Sequence, residues 1–121
     1  MVHKVQFIHL EENDNDLIVS FAIADEKFGV KSLTLIRTIF FEELLDEAER
    51  GVKVSLEGEY LPEEDFNVLE SIEVNDGNIK IKSTFKEYEL NITALSKSDI
   101  EEMMELLKKQ NYDNRFSIYT A

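Results

Sequence analysis

Val68-Leu69-Glu70-Ser71-Ile72-Glu73-Val74-Asn75-Asp76-Gly77-Asn78-Ile79-Lys80-Ile81-Lys82-Ser83 sets two alternating runs around an Asn-Asp-Gly centre. Such a centre is the strongest short-range hairpin signal, because Asn, Asp and Gly accept the bent backbone that a tight turn needs. Antiparallel pairing is therefore the starting expectation, and the flanking chain extends it. Downstream, Tyr88, Leu90 and Ile92 alternate with polar residues as a further strand. A helix follows, opened by Ser96 or Ser98, and Ser98 with Glu101 has the spacing of a capping box. Ile100, Met103, Met104 and Leu107 form its apolar stripe, Lys108 and Lys109 suit its negative end, and Phe116 to Tyr119 reads as a closing strand.

Upstream, Val52, Val54 and Leu56 alternate as a half-exposed strand, and Gly58 to Asp65 with Pro62 reads as a long loop. Glu42 to Glu49 has helical composition, with Leu44, Leu45 and Ala48 able to share a face and Gly51 as a stop. The cluster Ile39, Phe40 and Phe41 before it fits either that helix or the end of a strand. Ser32 to Thr38, Leu17 to Ala24 and Val5 to Leu10 are strands, and the apolar second one is expected to be buried on both faces. Glu11 to Asp16 and Asp25 to Lys31 are the turns between them. No βαβ repetition appears. The expectation is one α+β domain over residues 1–121, mostly antiparallel, with about seven to eight strands. One C-terminal amphipathic helix packs on the sheet, and a short helix lies near residues 42–49.

Charge narrows the function classes. Twenty-six acidic against thirteen basic residues leave −13, which opposes nucleic acid phosphates and anionic membranes as partners. The excess has a place: residues 42–76 hold 13 acidic and 2 basic residues, whereas residues 77–121 hold 7 of each. No apolar run reaches membrane-spanning length, and the start lacks a secretory pattern, so a cytoplasmic location is expected. The absence of cysteine removes disulfides, thiolate metal sites and thiol nucleophiles.

Catalytic residues are hard to nominate. His3 and His9 are the only histidines, on one face of the first strand by plain alternation and six residues apart, and no nucleophile motif accompanies them. Asn13-Asp14-Asn15-Asp16 lacks the central glycine and terminal glutamate of a calcium loop and suits a hairpin turn. No catalytic residue, cofactor or metal ligand is therefore assigned, and the chain is read as a non-enzyme. The expected function is binding of a basic protein partner. Glu42, Glu43, Asp46, Glu47, Glu57, Glu59, Glu63, Glu64 and Asp65 supply the charge, and Tyr60 and Phe66 are apolar anchors or packing residues of the loop.

Two other functions stay open: a small-molecule pocket lined by Phe21, Phe85 and Tyr88, and a hydrolase using paired carboxylates, one with a raised pKa. Self-association through an exposed edge strand is also possible.

The element order resembles a known family. The strand Leu17 to Ile23 leads to Ser32-Leu33-Thr34-Leu35-Ile36-Arg37, then through Phe40, Phe41 and an acidic stretch to Gly51 and Val52 to Leu56. Ile72-Glu73-Val74, the Asn75-Asp76-Gly77 hairpin and the helix Asp99 to Leu107 follow. This succession is similar to the bacterial immunity proteins of polymorphic toxin systems, the Immunity protein 10 family. The resemblance implies a small, largely β, cytoplasmic protein that neutralises a toxin made by the same cell. It supplies no signature residues, and Gly58-Glu59-Tyr60-Leu61-Pro62-Glu63 departs from the family pattern.

Overall fold

The computed structural model describes residues 2–27, 29–59 and 67–120. Among them, eight strands, a one-turn helix and a long helix follow in chain order. They are β1 (Val2–Glu12), β2 (Asp16–Asp25), β3 (Gly29–Thr38), α1 (Ile39–Glu42), β4 (Lys53–Leu56), β5 (Leu69–Asn75), β6 (Asn78–Ser83), β7 (Glu87–Asn91), α2 (Lys97–Gln110) and β8 (Ser117–Thr120). The expected α+β layout is what the structure shows, a mostly antiparallel eight-stranded sheet with one C-terminal helix. Among the described residues no helix is long and apolar enough to cross a membrane.

The hairpin forms where expected. Asn75 pairs with Asn78 and Ile72 with Ile81, while Gly77 closes the turn at φ 78°, a left-handed conformation that side chains resist. The preceding turn at Asn13 works by a different device. The Asn13 carboxamide oxygen accepts from the amides of Asn15 (2.8 Å) and Asp16 (2.9 Å), so this polar run is spent on its own backbone.

The strand order is β4-β3-β2-β1-β7-β6-β5-β8. Two pairings lie outside the antiparallel pattern. β1 runs parallel to β7 through Val2–Glu89, His3–Leu90 and Lys4–Asn91, and β8 runs parallel to β5. A third contact closes the sheet on itself. Lys53 opposes Val68, flanked by Val54 N–H to Asn67 oxygen and Leu69 N–H to Val52 oxygen, both 2.8 Å. The start of β5 therefore joins β4, and strands β1 to β7 form a ring. Asn67, 4% exposed, staples this seam by donating to the Val54 carbonyl (3.1 Å) and accepting from the Phe85 amide (3.0 Å).

The ring is filled by its own side chains, with Phe21, Leu33, Leu35, Ile72, Ile79 and Leu90 fully buried. Burying each such side chain contributes about 1.5–3 kcal/mol, opposed by conformational entropy. β2 alternates buried with half-buried positions along most of its length, so it is not buried on both faces as the apolar composition suggested.

α2 packs against β1 and β2. Its N-cap is Ser96, whose hydroxyl accepts from the Asp99 amide while Asp99 accepts from the Ser96 amide, both 3.1 Å. The expected pairing of Ser98 with Glu101 is thus replaced by one two residues earlier. The buried stripe moves as well: Met103, Leu106, Leu107 and Gln110 are buried, with Ile100 and Met104 at its margin.

The short helix expected near 42–49 is broken. Helical turns occur at Ile39–Glu42 and, as a 3-10 turn, at Glu47–Glu49. The reason is that side chains take the bonds a continuous helix would make. The Arg50 guanidinium, for one, donates to the carbonyls of Leu45 (3.1 Å) and Glu43 (3.2 Å).

Candidate functional site

Leu33, Leu35 and Arg37 occupy successive inward positions of β3, and Arg37 is 0% exposed. A buried guanidinium demands partners, and the chain supplies one for every N–H. Nε and Nη2 donate to the two carboxylate oxygens of Glu42, which α1 carries back onto the strand end. Nη1 donates to the Gln110 carbonyl (2.8 Å) and Asp113 (2.7 Å), and Nη2 also donates to Asp113 (2.9 Å). The Tyr112 ring lies 4.2 Å from the guanidinium carbon. Gln110 completes the junction by donating to the carbonyls of Leu17 (2.8 Å) and Leu35 (3.0 Å). Arg37 thus ties β3, α1 and the end of α2 together.

The electrostatics follow from this geometry. Burial opposes ionisation of Glu42, but the Arg37 hydrogen bond and charge overcome it and hold the carboxyl below its ordinary range. The Arg37 hydrogen bond, assisted by Arg115, pulls Asp113 well below its own range against a smaller burial effect. These two carboxylates share one guanidinium, and both favour the charged form. A hydrolase needs the opposite in one member of its pair.

Beyond Glu42 the chain makes a second, outward-facing layer. Its basic residues turn inward to backbone oxygens. Arg50 caps Glu43 and Leu45, Lys53 donates to the Glu49 carbonyl, and Arg115 donates to the Glu47 carbonyl (3.2 Å) and carboxylate (2.6 Å). The carboxylates of Glu43 and Asp46 are exposed, with no hydrogen bond or ion pair among the described residues.

The partner-binding residues expected from sequence therefore separate. Glu42 is withdrawn into the Arg37 cluster at 7% exposure and is not a surface charge. Glu43, Asp46 and Glu47 stand together before β4, Glu47 also bridging to Arg115. Glu57 and Glu59 lie beyond the other end of this four-residue strand. Glu57 is exposed and accepts from the Ser32 amide (3.0 Å), and half-buried Glu59 accepts from the Tyr88 hydroxyl. Burial and that bond to Glu59 raise the Tyr88 pKa. Tyr60, Glu63, Glu64, Asp65 and Phe66 lie outside the described residues.

His3 and His9 part company for a geometric reason. A bulge between Val5 and Phe7 shifts the alternation, so His3 shares the inward side with Val5 while His9 pairs outward with Ser20. The pocket residues also separate. Phe21 and Tyr88 are packed inside the ring, and Phe85 is 51% exposed on the β6–β7 turn. The concave regions are open grooves: one of about 410 Å³ includes Tyr88 with Lys80, Lys82, Glu87 and Tyr119, and another of about 680 Å³ is floored by Val74, Ile92, Leu95, Ile100 and Met104.

Sequence reasoning missed Arg37 as a junction, although a basic residue at an inward strand position signalled it. Nothing in the pattern pointed to Tyr112, Asp113 or Arg115, which reach this end of the ring only through the fold. Comparison with family models, curated proteins and solved structures finds no match to this chain.

Proposed function

We propose that this protein is a non-catalytic binding protein for a basic protein partner, acting by occupying its surface. The resemblance to bacterial immunity proteins supplies a setting: the partner is a toxin of the same cell, held inactive in the cytoplasm. One observation carries the reading. In the acidic segment the cationic side chains of Arg50 and Lys53 are committed to backbone carbonyls, leaving Glu43, Asp46 and Glu57 on the surface. A surface of this kind attracts cationic proteins over long range and speeds encounter, by about 10- to 1000-fold at low salt.

Co-expression with the product of the adjacent gene tests the reading. A stable complex is expected, together with rescue of growth if that product is toxic. The triple variant Glu43→Gln, Asp46→Asn, Glu57→Gln should associate several-fold more slowly at low salt and show a flatter salt dependence. An unchanged association rate would remove the electrostatic argument, and absence of any complex with the adjacent product would remove the toxin setting.

A further inference from the structure

Three large apolar side chains on the turn that follows β3 are exposed. Ile39 is 39% exposed, Phe40 61% and Leu44 79%, and the Tyr112 ring stacked on Arg37 is 57% exposed. A single exposed leucine is ordinary, but three such residues within the six positions from 39 to 44 concentrate apolar surface on one short turn. The turn is also shaped in advance. Arg37 holds Glu42 at its base, Arg50 holds the Glu43 and Leu45 carbonyls, and Arg115 holds that of Glu47. A loop fixed in this way loses little conformational freedom when it docks.

Chemistry then selects the occupant. Leu44 is flanked in the chain by Glu43 and Asp46, both exposed and without an ion pair among the described residues, so its complement is an apolar recess rimmed by lysine or arginine. A second copy of this chain is a poor fit. An isologous contact sets the same carboxylates against each other, on two molecules of −13 each. Nucleic acid and anionic lipid are repelled by the same charge. A metabolite lacks the area, because these side chains protrude and do not enclose.

We infer that the turn from Ile39 to Glu47 is the docking element for a cationic protein, with Phe40 and Leu44 entering an apolar recess and Glu43 and Asp46 pairing with basic residues around it. This rests on the basic-partner reading and confines it to one end of β4, leaving Glu57 and Glu59 outside the contact.

Panning the intact protein against a displayed library of random linear peptides tests the surface without knowledge of the natural partner. Enriched peptides should combine Lys or Arg with an aromatic or aliphatic residue and compete with one another. Leu44→Ser and Phe40→Ser should each weaken them by about tenfold or more, as for interface anchors, while Glu101→Gln, at an exposed position of α2, leaves them unchanged. Leu44 is 79% exposed, so the thermal unfolding midpoint of Leu44→Ser should stay in place, and Leu44→Gln serves as a companion if serine disturbs the turn. The inference is overturned if no peptide is enriched, if enriched peptides carry no positive charge, or if they bind Leu44→Ser and Phe40→Ser as well as the parent. It is also overturned by a dimer in sedimentation that Leu44→Ser dissolves. Cationic peptides that respond to Glu57→Gln but not to Leu44→Ser or Phe40→Ser keep the basic-partner reading and sink this surface. Peptides that follow Leu44→Ser while the adjacent gene product fails to bind support this surface and sink the toxin setting.

Discussion

Replacing Arg37 by methionine removes a cation of similar reach whose five N–H groups are all donated. Removing one partner of a buried ion pair costs about 3–5 kcal/mol, because the other charge stays buried and uncompensated. Here Glu42 bears that penalty, with its side chain 9% exposed. Asp113 is 32% exposed and keeps Arg115, so its share is discounted for solvent screening. The expected loss is therefore about 3 kcal/mol, a large part of the roughly 5–15 kcal/mol that stabilises an ordinary domain. Urea unfolding at pH 7, followed by far-ultraviolet circular dichroism, reads this as a fall in midpoint of about 1–3 M at unchanged slope. The double variant Arg37→Met, Glu42→Gln should recover at least half of the loss, since the residual charge is what costs. A single variant that loses less than about 1 kcal/mol, or a double variant no more stable than the single, would falsify the assignment of Arg37 as the junction of the fold.

Ser96→Ala should cost about 1 kcal/mol by removing the α2 cap, whereas Ser98→Ala should stay within about 0.5 kcal/mol; paired melts separate them. Glu42 and Asp113 have folded pKa values below their ordinary 4.5 and 3.8, so the unfolded chain takes up protons first on acidification. Their stabilisation is complete above those ordinary values and is lost as pH falls through the lower folded ones. Denaturation midpoints should drop in that window, and more shallowly in Arg37→Met. Asn67→Ala leaves the Val54 carbonyl and Phe85 amide without their partner, at a cost of about 1–3 kcal/mol. Hydrogen exchange should then quicken at the amides of Val54 and Leu69, and unchanged protection there would count against Asn67 as the staple of the β4–β5 seam.

Much of the fold was legible in the sequence because strand alternation and turn chemistry are local. The Asn75-Asp76-Gly77 hairpin, the β2–β3 pair and the long helix all follow from residues near one another. Where prediction slipped, a side-chain bond to the backbone or a carboxylate, or a backbone bulge, had intervened. Arg50 and Arg37 break the helix expected at 42–49, and the bulge after Val5 moves His9 to the other face. The Ser96 cap was missed because two serines with acids three residues on compete, and only packing of the helix decides the frame. At the candidate site, Glu43 and Asp46 were legible as exposed charge. The burial of Glu42 was not, since it depends on an arginine facing inward and on Asp113 arriving from beyond the helix. The exposure of Phe40 and Leu44 ran against composition, which assigns such residues to a core.

The ring of strands has a consequence for the order of folding. One seam, between Lys53 and Val68, closes over a short stretch of chain, but the other joins residue 2 to residue 89. Loop-closure entropy makes that second seam the slower to form, and its three paired positions give it little to hold with. The β1–β7 seam is therefore where assembly finishes and opening begins, so a force applied at the first residues would unzip the ring while the hairpins remain intact.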